Sequence, residues 1–140
     1  MLKMRLKRVH TDAKLPTKSE GDLGWDIYVV DEITIPPKGH AVLHTGIQTA
    51  IPQGFGMILK DRSGNAAKKR LHVTAGVIDH TYRGEWLVSV ENFSNVPVEI
   101  NVGDRLTQAV LVRLHDLELE EVEELDTTER GDKGFGSSGA

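Results

Sequence analysis

The chain has 140 residues, enough for one compact domain and too few for two. Hydrophobic residues make up 39% and charged residues 27%, as in ordinary soluble globular proteins, and the net charge of −4 excludes a global basic field for nucleic acid. The lack of cysteine excludes disulfides, thiolate nucleophiles, cysteine zinc sites and the zinc-dependent base deaminases.

Leu2, Met4 and Leu6 alternate with Lys3, Arg5 and Lys7, a strand pattern. This opening has no apolar h-region of a signal peptide, and no apolar run approaches the ~20 residues of a membrane span. A cytoplasmic location is expected, or a host cytoplasm for a viral protein, with no membrane or nucleic-acid partner. Gly24-Trp25-Asp26-Ile27-Tyr28 sets an acid inside an apolar strand. Such an Asp faces a metal or cation, or is an edge charge that discourages aggregation. Ile33 and Ile35 alternate next, before the turn Pro36-Pro37-Lys38-Gly39. His40 and His44 are four apart, which makes a metal pair only on a helix, and the local pattern is strand. Pro52-Gln53-Gly54 marks another turn.

In Lys60-Asp61-Arg62-Ser63-Gly64-Asn65-Ala66, Ser63 is placed to cap a short helix over Asn65–Arg70. A Ser-Gly pair opening a helix presents free N–H groups, and Arg62 adds a forked donor for phosphate oxygens. A plain helix cap explains the same residues. From Thr74 to Glu85 a strand, a polar turn and a second strand make a hairpin. Asp79 closes the apolar strand, semi-buried beside a ligand and placed to orient a water as general base. Its alternative role is to hydrogen-bond its own turn, and Tyr82 reads equally as an ordinary half-exposed aromatic.

Trp86, Val88 and Val90 form the next alternating run, followed by Val96, Val98 and Ile100. After the turn Asn101-Val102-Gly103-Asp104, residues Leu106, Gln108, Val110 and Val112 share one face, with Thr107, Ala109 and Leu111 opposite. Gln108 is then an amide on an apolar face, which needs partners. Leu117 and Leu119 predict a strand within Leu117–Leu125, despite its glutamates. The stretch from Arg130 is rich in Gly and Ser around Phe135, the composition of a flexible terminus. Many short strands with regular turns and one short helix predict an all-β sandwich, jelly roll or barrel.

Taken in order, five of these segments resemble the five motifs of the trimeric dUTPases. They are Gly24-Trp25-Asp26-Ile27, Arg62-Ser63-Gly64, Ala75-Gly76-Val77-Ile78-Asp79-His80-Thr81-Tyr82-Arg83-Gly84, Gly103-Asp104-Arg105-Leu106-Thr107-Gln108, and the tail Arg130 to Gly139. The resemblance implies a distorted jelly-roll or β-barrel domain over 1–126 and a C-terminal arm over 127–140. It implies a homotrimer with active sites shared between subunits, each arm closing over another subunit's site. The implied reaction is Mg²⁺-assisted hydrolysis of dUTP to dUMP and pyrophosphate, which limits uracil in DNA and supplies dUMP for dTMP synthesis.

By the resemblance, Asp79 orients the attacking water and contacts the sugar, while the backbone of Gly76, Val77 and Ile78 reads uracil. Tyr82 packs on the deoxyribose. Arg62, Ser63 and Gly64 hold phosphates, Gln108 lies near the α-phosphate, and Asp26 serves the metal through bound waters. In the arm, Arg130 binds the outer phosphates and Phe135 stacks on uracil. Gly136 is a further substrate contact, and Ser137 and Ser138 cap the phosphate end. Three positions depart from the family pattern: Asp61 stands where Pro is usual, Lys133 where Gly is usual, and Val73 where a polar uracil contact can sit. The competing readings are a dCTP deaminase of the same fold, possibly bifunctional, and a non-catalytic regulatory relative. Tyr82, Asp79 and the Gly-Phe-Gly-Ser-Ser tail stand against them.

Overall fold

The computed structural model describes residues 1–139. Ten strands follow in chain order, interrupted by one helix: β1 (Arg5–Arg8), β2 (Gly24–Tyr28), β3 (Ile33–Ile35), β4 (His40–Ala50), β5 (Phe55–Asp61), α1 (Ser63–Lys68), β6 (Leu71–Thr74), β7 (Val77–Ile78), β8 (Glu85–Asn92), β9 (Val98–Ile100) and β10 (Arg105–Arg113). They make two four-stranded antiparallel sheets, β1-β4-β8-β6 and β2-β10-β5-β7, and a small sheet β3-β9. The expected all-β, jelly-roll-like class holds. No closed barrel forms among the described residues, because each sheet ends in free edge strands.

One core joins the three sheets. The inward sides of β4 and β8 supply Leu43, Ile47, Trp86, Val88 and Val90; β2, β5 and β10 supply Ile27, Met57, Leu59 and Ala109; β3 and β9 add Ile35 and Ile100. The period-two burial of Trp86, Val88 and Val90 is what the sequence alternation demands of a half-buried strand. Trp86 is fully buried, and its indole Nε1–H donates to Thr49 Oγ1 at 2.9 Å, so its polar edge is satisfied inside the core.

Four local expectations are corrected. On β10 a register shift between Arg105 and Thr107 turns both Leu106 and Thr107 inward, so the core face continues through Thr107 and Ala109 rather than Gln108. The helix runs Ser63–Lys68, with the extended Arg62 at the N-cap and no side-chain capping bond. Ser63 is therefore the first helical residue, since β5 runs straight into the helix. Arg70, in the left-handed region at φ 58°, ends it two residues before the expected limit. Leu117–Leu125 is not a strand: its Leu117, Leu119 and Leu125 are exposed, and no neighbour on this chain completes a ladder among the described residues.

The fourth correction concerns the hairpin. β6 and β8 pair, with Thr74 opposite Ser89, but Val77–Ile78 leaves that ladder and pairs with Met57–Ile58 of β5. Ala75 (φ 58°) and Gly76 (φ 99°) make this crossing between sheets. A side chain at Gly76 would strike Leu59, whose N–H donates to the Gly76 carbonyl at 2.8 Å. Among the described residues no helix is long and apolar enough to cross a membrane.

Candidate active site

Two clefts are lined by residues singled out in the sequence, Gly76 to Asp79 with Tyr82 in one and Arg62 in the other. The first, of about 210 Å³, is lined by Gly76, Val77, Ile78, Asp79, Tyr82 and Leu87. Its floor is β7, the edge strand of its sheet, so half of the backbone groups there face away from β5 without a ladder partner. Asp79 follows directly and is exposed rather than semi-buried, because the chain has left the core after Ile78. Its carbonyl accepts the Tyr82 N–H at 3.1 Å, which closes the turn, whereas its carboxylate makes no hydrogen bond among the described residues. That bond and Arg83 Nη1, which donates to the His80 carbonyl at 2.6 Å, hold the turn, and the acid is left free. Tyr82 is fixed by its hydroxyl, which donates to the Glu85 carbonyl at 2.8 Å. Its ring lies so close over Gly84 that a Cβ there would overlap it.

The second cleft, of about 250 Å³, is lined by Arg62, Asn65, Lys69 and Arg105, with Gly103, Asp104 and apolar neighbours. At its margin Asp26 sits between two arginines. Arg62 Nε donates to Asp26 Oδ1 at 2.9 Å, and Arg105 Nη1 to Oδ2 at 3.4 Å. Strand register explains the grouping: Asp26 lies opposite Gln108, which lies opposite Lys60, two residues before Arg62. Asp26 is thus cation-facing, and it joins the first, second and fourth motif segments at one place. Gln108 Nε2 donates to the Asp61 carbonyl at 2.8 Å. Ser63 and Gly64 are exposed at the helix start.

The two clefts share no lining residue. Val77 is opposite Ile58, and Arg62 lies four residues further on, just past the end of β5, roughly 13 Å at 3.3 Å per residue. The arm touches neither cleft: Arg130, Phe135, Gly136, Ser137 and Ser138 are all exposed, and the arm's hydrogen bonds are local, such as Arg130 Nε to the Lys133 carbonyl at 2.9 Å.

The departures at Asp61 and Val73 have structural answers. The Asp61 carboxylate turns away from Arg62, accepting from the Val73 N–H at 2.5 Å and lying 2.7 Å from His72 Nδ1. Val73 itself points into the core. Lys133 is exposed.

Sequence reasoning missed four residues. Leu87 forms an apolar wall of the first cleft, and Arg105 shares Asp26; only the motif containing Arg105 gave a signal. Asn65 Nδ2 ties the helix to the carbonyls of Arg105 and Leu106, at 3.1 and 3.3 Å. Gly24 leaves room for Gln108 in a way its neighbours do not reveal, for a Cβ there would lie 2.5 Å from Gln108 Oε1.

The family model for dUTPase matches residues 11–139. The chain belongs to the dUTPase family. Among curated dUTPases it is 41% identical to the deoxyuridine 5'-triphosphate nucleotidohydrolase of Wolinella succinogenes, covering 99% of this chain and 95% of that protein. It is 43% identical to the human mitochondrial enzyme over 99% of this chain, and spans 55% of that protein's length. Among solved dUTPases, that of Staphylococcus bacteriophage 80alpha with dUPNHPP superposes with a TM-score of 0.89 at 29% identity, covering 99% of both chains.

Proposed function

We propose that the chain hydrolyses dUTP to dUMP and pyrophosphate, with Asp79 as general base for water attack at the α-phosphate. The observation that carries this reading is the unbonded Asp79 carboxylate at the lip of the β7 cleft, free to take a proton from water. The water oxygen bonds to the α-phosphorus, its proton passes to Asp79, and the bond to the bridging oxygen breaks to release pyrophosphate. The product dUMP then feeds dTMP synthesis, and removal of dUTP limits uracil in DNA.

The unpaired edge of β7 supports base reading by the backbone of Gly76, Val77 and Ile78. Cytosine reverses the donor and acceptor pattern and would leave buried groups unpaired. The anchored Tyr82 ring packs on the deoxyribose and excludes a 2′-hydroxyl. Arg62, with Ser63 and the Gly64 amide, holds phosphate oxygens through charge-assisted bonds, and Gln108 stands near the α-phosphate.

Mg²⁺ is the proposed cofactor. Among the described residues no three His, Asp or Glu form a metal cage. That suits a cation that keeps several waters and is carried by phosphates with one or two carboxylates. Asp26 is the carboxylate that would hold it, through those waters. When bound, the ion neutralises the polyphosphate; Arg62 and Arg130 share that task.

Neither cleft reaches the roughly 300–1,000 Å³ typical of ligand sites, and the arm docks on neither. Both points support sites completed by other copies of the chain, and the likeness to the trimeric dUTPases makes that assembly a homotrimer in which clefts of different subunits face one another. Residues 127–140 form an arm that closes over another subunit's site, with Arg130 on the outer phosphates and Phe135 on uracil. Gly136, Ser137 and Ser138 then line the phosphate end.

The test is pyrophosphate release from dUTP, dCTP, dTTP and UTP, with and without Mg²⁺. Selective, Mg²⁺-dependent release from dUTP is expected. Ammonia release from dCTP would favour a deaminase, and inertness towards all four would overturn the reading.

A further inference from the structure

We propose that Asp61 is a positioning residue for Arg62, acting as a clamp that binds the end of β5 to the edge of the opposite sheet. The inference rests on the reading of Arg62 as a phosphate ligand.

Arg62 needs an external anchor. It is the last extended residue before α1 (φ −87°, ψ 135°), and the helix start has no side-chain capping bond. The helix has six residues, none of them buried, so it brings little packing of its own. Asn65 ties the helix side of the junction to β10, and Asp61 fixes the strand side by three bonds to two other strands. Its carboxylate accepts the Val73 N–H at 2.5 Å and lies 2.7 Å from His72 Nδ1, both on β6. Its carbonyl accepts Gln108 Nε2 of β10 at 2.8 Å.

The bond to Val73 has a specific logic. β6 is the edge strand of its sheet and pairs only with β8, so the Asp61 oxygen replaces a missing ladder acceptor on its free side. β5 belongs to the other four-stranded sheet. The carboxylate therefore joins the two sheets at the point where the chain leaves β5. Side chains alternate along a strand, so fixing Asp61 towards β6 aims Arg62 the other way, to Asp26 at 2.9 Å. His72 holds the second oxygen and so fixes the carboxylate plane.

Loss of the clamp is expected to weaken phosphate binding more than the chemical step. Asp61→Ala removes both carboxylate bonds and should raise KM for dUTP roughly 10-fold, the scale of one charge-assisted hydrogen bond, with a smaller change in kcat. Asp61→Asn keeps one carbonyl oxygen for the Val73 N–H and should restore most of the KM. His72→Ala should give an intermediate KM. The second readout is calorimetric affinity for an α,β-imido triphosphate analogue against dUMP: Asp61→Ala should lose more affinity for the triphosphate than for the monophosphate. Equal loss for both ligands, or an unchanged KM in folded Asp61→Ala, would overturn the clamp. If Asp61→Ala fails to fold, His72→Ala decides, and an unchanged KM there overturns it. A wild-type protein inert towards dUTP would instead refute the parent reading.

Discussion

Gly24→Ala isolates how the fold positions the site. The new Cβ would lie 2.5 Å from Gln108 Oε1, and 3.1 and 3.2 Å from its Cβ and Cδ. These three nearest atoms all belong to one flexible side chain, so the end of the glutamine must swing away. That breaks its 2.8 Å bond to the Asp61 carbonyl. Overpacking typically costs about 1–3 kcal/mol, and a lost hydrogen bond about 0.5–1.5 kcal/mol. Because a side-chain end yields more easily than backbone, the lower part of the summed range applies, about 2 kcal/mol. At about 3 °C per kcal/mol for a chain of this size, Tm should fall by roughly 6 °C. The decisive assay is a double-mutant cycle with Gln108→Ala, followed by thermal unfolding at fixed protein concentration. Gln108→Ala removes the 2.5 and 3.2 Å overlaps and leaves only the 3.1 Å contact with its Cβ, so Gly24→Ala should cost clearly less in that background than in the wild type. Simple additivity of the two losses would refute the collision as the cause.

Three further outcomes follow from the geometry. Asp26→Asn should raise the Mg²⁺ concentration for half-maximal activity by about 10–100-fold, the usual effect of losing an outer-sphere metal partner; a metal titration of dUTP turnover reads it. Trp86→Phe removes the indole bond to Thr49 in a fully buried place. It should cost about 1–3 kcal/mol in denaturant unfolding, with turnover of the folded protein unchanged. Truncation after Asp126 removes an arm that, among the described residues, bonds only to itself. It should leave unfolding of the barrel-like body almost unaltered while lowering kcat/KM by at least about tenfold through loss of closure.

The half-buried strands were the legible part of this fold. Trp86, Val88 and Val90 announce their core face because one side of β8 is packed and the other is not. Period reading failed on β10, where the irregularity beside Arg105 turns consecutive residues inward, and nothing in Leu106 or Thr107 signals a shifted ladder. It failed again at Leu117–Leu125, whose alternation is that of a strand with no partner on its own chain. At the site, Asp26 and Arg62 carried chemical signals of their own, but their pairing depends on the register of β2, β10 and β5, which no local pattern encodes. Asp61 stands beside Arg62 where Pro is usual in the family, and an acid next to a phosphate ligand is adverse unless it is turned away or paired. Its partners, His72 and Val73, lie eleven and twelve residues away and become visible only when β5 meets β6. Asp79 gained most from the structure, because the backbone bond from Tyr82 closes the turn without the carboxylate.

The most direct test of the central claim is Asp79→Asn, with single-turnover pyrophosphate release from dUTP measured beside the affinity for a non-hydrolysable dUTP analogue. Loss of a general base should lower kcat by about 10²–10⁴-fold with analogue binding retained, since the amide keeps the shape and only the proton acceptor is gone. Near-normal turnover in a folded Asp79→Asn protein would contradict the account.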